Sequence, residues 1–85
     1  MRDYKWLPLK EVEKNIPEMR KRKVSVKARS RGQFIEQFRK AKGNPDNLSE
    51  KWRRKRNGFV ARTKVNYKPG QTRRRLALIA WGYEP

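Results

Sequence analysis

The sequence predicts a small all-α domain of three to four short helices, with a basic, partly irregular segment near residues 20–31. Three observations predict it. Apolar residues recur at three- and four-residue spacing, the period of a helix with one buried face. Ser, Thr, Gly and Pro stand where helices start and stop. The chain has 85 residues, which suits one domain close to the lower limit for a self-sufficient core. The 39% charged content leans toward disorder, but three Trp, three Tyr and three Phe supply large buried areas.

The elements follow in order. In YKWLPLKEVEKNIPEM (4–19), Leu9, Val12 and Ile16 share a helix face, Pro8 suits the first turn, and Pro17 is expected to close it. Tyr4, Trp6 and Leu7 are expected to pack on the core as an N-terminal arm. RKRKVSVKARSR (20–31) has seven basic residues, no acid and no clear period; a loop is expected, with a helical turn starting at Ser25. Residues 30–42 form the next helix, with Ser30 as N-cap and Phe34, Phe38 and Ala41 on one face. Gly43 ends it, and GNPDN is a turn.

Ser49 is expected to cap the longest helix, with Glu50 favoured by the helix dipole. Leu48, Trp52, Phe59, Val60, Thr63 and Tyr67 fall in an arc of about 120°. Arg56 lies inside that arc. Gly58 weakens the helix by roughly 1 kcal/mol relative to Ala and allows a bend. Lys68-Pro69-Gly70 terminates it. Thr72 is the N-cap candidate of the last helix; Leu76, Ala77, Leu78, Ile79, Ala80 and Trp81 cover all its sides, so it should be central. A buried strand is the alternative for so short an apolar run.

Charge decides the function class. Lys and Arg number 25 against eight Asp and Glu, for a formal net charge of +17. Residues 1–19 are charge-neutral, with four of each sign, so residues 20–85 form a basic body that carries the whole excess. A compact domain with that charge repels itself unless a polyanion offsets it. The candidates are nucleic acid, an anionic membrane surface or an acidic protein. The membrane is disfavoured because no helix pairs a strong apolar face with a purely basic one, and no apolar run is long enough to span a bilayer. The first ten residues lack an apolar core, so no signal peptide is expected.

The chain has no Cys and no His, which excludes thiolate zinc sites, disulfides and His-based catalysis. No Walker loop, GxGxxG or GxSxG occurs. Glu36, Asp46 and Glu50 could in principle meet around a metal, but they read more simply as ion-pair partners and helix-start acids. No enzyme activity, metal or cofactor is expected.

Three basic clusters stand out. Arg20, Lys21, Arg22, Lys23, Lys27, Arg29 and Arg31 form the first, Arg53, Arg54 and Lys55 with Arg62 the second, and Arg73, Arg74 and Arg75 the third. These are the candidate nucleic-acid-binding residues. Arg suits bidentate phosphate contacts. The third cluster would occupy a first helical turn, where cations oppose the dipole and free N–H groups attract anions, so a phosphate clamp is one reading. Fanning into water, or pairing with Glu84 and the acidic N-terminal helix, is the other. Trp52, Phe59, Phe34, Phe38, Ile79 and Trp81 have core spacing and are assigned to structure rather than to a base-stacking platform.

Arg56 is read as structural too, at the core edge, stacked on Trp52 or Phe59 and paired to a carboxylate such as Glu36. Projection through the apolar face to a ligand is the alternative. RSRGQFI (29–35) and RKRNGFV (54–60) share R-x-R-x-x-F-[I/V], too short a match to mark a duplication.

The stretches SVKARSRGQFIEQFRKAKGNP (25–45), LSEKWRRKRNGFVAR (48–62) and RRRLALIAWGYEP (73–85) resemble, in motif order, short basic proteins encoded in tailed-phage genomes. That family has no established activity. The resemblance implies context: a viral protein in the host cytoplasm or nucleoid, or inside the virion. The expected function is charge- and shape-driven binding of the phosphate backbone, with little sequence preference and DNA ahead of RNA. The alternatives are a host-takeover inhibitor that binds a host nucleic-acid enzyme or CRISPR effector, an acidic or RNA-containing partner, and a ribosomal-protein-like subunit of a ribonucleoprotein.

Overall fold

The structure, a computed structural model, describes residues 4–85; the first three residues of the charge-neutral arm lie outside them. The helices are α1 (Leu9–Lys14), α2 (Ile16–Arg22), α3 (Val26–Arg29), α4 (Phe34–Lys40), α5 (Glu50–Lys64) and α6 (Thr72–Ala80), with a 3-10 turn at Pro45–Asn47. No strand occurs among the described residues; a lone antiparallel bridge joins Trp6 to Tyr83. The all-α class holds.

Several boundaries differ from the sequence expectation, each for a local reason. Pro17 does not close the first helix. It stands in the first turn of α2, where its missing N–H is no loss because first-turn donors have no intrahelical partner. Only Asn15 separates α1 from α2, its Nδ2 donating to the Glu11 carbonyl at 2.8 Å. Val12, Ile16 and Met19 therefore continue one buried stripe across the break. Arg20–Arg22 are helical rather than looped, and their charges sit at the C-terminal end that favours cations. α3 is the single turn expected after Ser25.

Ser30 is not the cap of α4. Its hydroxyl donates back to the Val26 carbonyl at 2.6 Å, closing α3, and α4 begins after Gln33. There the Glu36 carboxylate reaches back to accept the Gly32 N–H at 2.7 Å, much as the Glu of a capping box does. That bond, aided by Lys40, Arg31 and Arg39, holds the Glu36 carboxyl below its ordinary value. A lowered carboxyl stabilises the fold above the ordinary carboxylate range, and the contribution is lost as pH falls through the lowered value. Denaturant unfolding should thus show Glu36→Gln less stable than the parent at neutral pH, with the gap closing in acid. A gap independent of pH would show that the carboxylate charge is irrelevant.

Three helices end alike. Val24, Gly43 and Tyr83 donate to the carbonyls of Met19, Phe38 and Leu78, five residues back, the six-to-one bond of a Schellman ending. After α4, Gly43 has φ +73, and a Cβ there would lie 2.8 Å from Leu9 Cβ. Gly43→Ala would combine a disfavoured backbone with a clash, so a loss of roughly 2–3 kcal/mol in unfolding free energy is expected. A loss below about 0.5 kcal/mol, the range of ordinary surface substitutions, would mean that α1 can retreat from this turn.

Ser49 caps α5 as expected, its Oγ accepting the Trp52 N–H. The helix runs unbroken past Gly58 and stops at Lys64, short of Tyr67. Gln71, not Thr72, flanks the start of α6. Leu76, Leu78, Ile79 and Ala80 are buried and Ala77 half-buried, so α6 is central, packed on α2 and α5.

Arg56 is fully buried, the largest side chain to be so. Its Nε donates to the Trp81 carbonyl at 3.1 Å, Nη1 to the Tyr4 carbonyl and Asn57 Oδ1 at 2.8 Å each, and Nη2 to the Lys5 and Gly82 carbonyls at 2.6 and 2.9 Å. All five guanidinium N–H donors thus have an acceptor. The guanidinium also lies 3.8 Å from the centroid of the Trp6 ring. This corrects the expected partners: Trp6 replaces Trp52 or Phe59, and backbone carbonyls replace Glu36, which is engaged by Gly32 and stands 3.8 Å from Lys40. The reason is the end of α6. The Trp81 and Gly82 carbonyls just after it lie at the negative end of the helix dipole, and Arg56 reaches them from α5.

Around this arginine the two ends of the chain are joined. Leu7 N–H donates to the Gly82 carbonyl at 2.8 Å, Lys5 pairs with Glu84 at 2.6 Å, and Tyr4 meets Tyr83 edge-on at 6.3 Å. The Lys5–Glu84 bond raises the Lys5 pKa. Leu7 is buried and Trp6 half-buried against Phe34 and Phe38, as the N-terminal arm required.

Candidate nucleic-acid interface

α3 and the start of α4 run beside α5 and leave a groove of about 520 Å³ between them. Ser25, Lys27, Ala28 and Gln33 line one side, and Trp52, Arg54, Lys55, Gly58, Phe59 and Arg62 come from α5. Ala77 of α6 and Trp81, just after its end, complete it. No carboxylate is among the lining residues. Lys27, Arg54, Lys55 and Arg62 are exposed and form a cationic rim. Their charges are weakly compensated: Arg54 meets Glu50 at 2.7 Å with both side chains more than 70% exposed, a pair that water screens.

Gly58 has a place in this wall. An added Cβ would lie 3.3 Å from Arg62 Nη1, so the guanidinium rests over the bare turn. Lys55 Nζ lies over the Trp52 ring at 5.0 Å. Two of the rim cations are therefore held against the wall rather than extended into water.

The other predicted binding residues separate into different places. Arg20, Lys21, Arg22 and Lys23 are exposed at the end of α2, with Arg22 paired to Glu18 at 3.0 Å. Arg73 reaches this end and donates to the Arg22 carbonyl at 2.7 Å, while Arg74 donates to the Asn66 carbonyl. A shallow depression is lined by Arg22, Arg73, Arg74 and the loop before α6. Arg75 lines a different depression, with Glu11 and Glu84. The third cluster is thus split by the helical turn, and its three guanidinia do not converge on one anion. Arg31 is exposed. Arg29 is half-buried and donates to the Val24 carbonyl at 3.0 Å, a structural bond. Arg53, expected on the outer face, is half-buried.

The aromatics also divide. Phe34, Phe38 and Ile79 are buried as assigned. Trp52, Phe59 and Trp81 are only half-buried. They stack inward, Phe34 on Trp81 at 5.0 Å and Phe59 on Trp81 at 5.2 Å, yet they also floor the groove. Core spacing conceals this second role, because it reports which face of a helix is apolar and not how far a neighbour covers it. Gly58 between two arginines at i±4 was the one local signal.

The shared R-x-R-x-x-F-[I/V] pattern has no common structure. One copy crosses from α3 into α4, and the other is mid-helix in α5. Glu36, Asp46 and Glu50 do not converge, and no group of three metal-ligating side chains occurs among the described residues. None of the described helices is long and apolar enough to cross a membrane. No protein-family model, curated protein or solved structure matches the chain.

Proposed function

We propose that the chain is a small phage protein that binds nucleic acid through its phosphate backbone, with little sequence preference and DNA ahead of RNA. The observation that carries this reading is the gathering of Lys27, Arg54, Lys55 and Arg62 around one groove with no acidic residue in its lining. Binding would release counterions condensed on the polyanion, which makes affinity steep in salt. Long flexible cations contact phosphate, whereas base edges are read by short polar side chains and bidentate pairs. α4 and α5 are joined by a short connection like a helix-turn-helix, but the exposed face of α5 carries Lys51, Arg54, Lys55 and Arg62. That face suits backbone contact.

The test is binding to duplex DNA, single-stranded DNA and duplex RNA across a salt series. For duplex DNA a slope of log affinity against log salt of about −5 to −9 is expected, which at about 0.9 per contact corresponds to roughly six to ten phosphate contacts. Affinities no better than ~10⁻⁴ M at about 150 mM salt for all three, the limit of non-specific contact, would sink the proposal and turn the search to an acidic protein partner.

A further inference from the structure

The groove between α3 and α5 contains more than phosphate binding uses. Phosphates need its rim alone, but its floor is aromatic: Phe59 and Trp81 stack on one another, Trp81 stacks on Phe34, Trp52 packs tilted against Phe34, and all three still line the groove. Two further observations concern its walls. Gly58 leaves the α5 wall bare in mid-helix, where a side chain would be cheaper for folding. On the α3 side, Ser25 holds φ 56, and its Oγ is buried with no hydrogen-bond partner among the described residues. A buried hydroxyl without a partner is costly, and Ser25 lines the groove, so a turn of its side chain would bring a donor or acceptor to whatever enters.

The geometry points to an unpaired nucleobase of a single-stranded nucleic acid as the occupant. Its ring lies on the aromatic floor, its polar edge meets Ser25 and Gln33, and its flanking phosphates lie along Lys27, Lys55 and Arg62. The inference rests on the nucleic-acid reading of the same surface and adds to it which form of nucleic acid binds. Charge complementarity supports it, since a strand brings one phosphate per base to a groove whose lining holds no carboxylate. The size of the groove is that of a small-ligand site. Every base has a π-face, so stacking tolerates any sequence. A duplex presents no such face without unpairing and unstacking.

The test compares a short oligothymidylate, an oligouridylate of the same length, the matching duplex, and an abasic strand with the same number of phosphates. Anisotropy of a labelled strand gives affinity, and tryptophan emission reports stacking. The thymidylate strand is expected to bind roughly 5- to 150-fold more tightly than the abasic one, the range for one stacked base, and alone of the two to quench tryptophan. The uridylate arm distinguishes RNA from DNA as the source of the base. Phe59→Ala risks the stack on Trp81, so the deciding variant is Gly58→Leu, whose Cβ meets only the movable tip of Arg62 and whose longer side chain fills the groove that Gly58 lines. With helicity unchanged, it should bring the ratio of thymidylate to abasic affinity, both measured on the variant, down to about one. Equal binding of thymidylate and abasic strands without quenching overturns the base site and leaves phosphate binding standing. Failure of every strand and of the duplex overturns both. A glutamate-rich, tryptophan-bearing peptide that binds more tightly than thymidylate and is blocked by Gly58→Leu overturns the base in favour of a protein.

Discussion

Arg56→Met is expected to cost roughly 3–5 kcal/mol of unfolding free energy, the range for removing one member of a buried charged network. The carbonyls of Tyr4, Lys5, Trp81 and Gly82 would lose their shared donor, and each acceptor left buried bears its own desolvation cost. Trp6 would lose the cation over its face. A domain of this size has about 4–13 kcal/mol in total at roughly 0.05–0.15 kcal/mol per residue, so the variant would lie near the folding threshold. Guanidinium unfolding measures the loss. Arg56→Lys separates charge from shape. It keeps the cation, but one ammonium with three donors cannot reach acceptors arranged for a planar fork of five. It should recover less than half of the deficit. Near-complete rescue by Lys would show that the charge alone is needed.

A local readout checks the same claim. The Leu7 N–H bonds the Gly82 carbonyl, which Arg56 also holds. In Arg56→Lys the amide of Leu7 should exchange faster than amides within α6, because the joined chain ends open before the core does. Uniform acceleration would mean that Arg56 supports the whole fold and not the join between the ends.

How much of this was legible in the sequence can be seen at particular residues. The period of α5 put Arg56 on the buried face, and no better account of that face was needed to read it as structural. Its partners were not legible, because backbone carbonyls 25 to 52 residues away leave no trace in residue identity. A search for a carboxylate was bound to look elsewhere. Ser49 was readable as a cap because Glu50 and Trp52 follow it at helical spacing. Ser30 was not, since the same hydroxyl can accept from the next helix or donate to the last, and only the three-dimensional turn decides. Pro17 suits a helix stop and a helix start equally. The aromatic-floored groove was hidden for a related reason. The residues of α5 and α6 showed apolar faces, but the spacing between α3 and α5, which leaves those faces partly open, is set by packing among distant residues.

Neutralising the rim should produce the largest functional effect. In Lys27→Gln/Arg54→Gln/Lys55→Gln/Arg62→Gln, four exposed cations leave one groove. At about 0.7 counterions released per single-strand contact, the salt slope should fall in magnitude by roughly 3, with affinity lower by about two orders of magnitude near 150 mM salt. Stability should change little, since exposed pairs such as Arg54–Glu50 contribute less than about 1 kcal/mol each. The comparison variant is Arg20→Gln/Lys21→Gln/Lys23→Gln. It removes three exposed cations from the end of α2, outside the groove lining. If the groove is the interface, the α2 variant should move the slope by less than 1. That difference separates a site from a field. With a formal charge of +17, the protein would attract a polyanion to any face. Loss of slope in proportion to the charges removed, regardless of place, would mean that binding is diffuse. Loss concentrated at the rim would mean that the chain gathers its cations where α3 and α5 leave room for a strand.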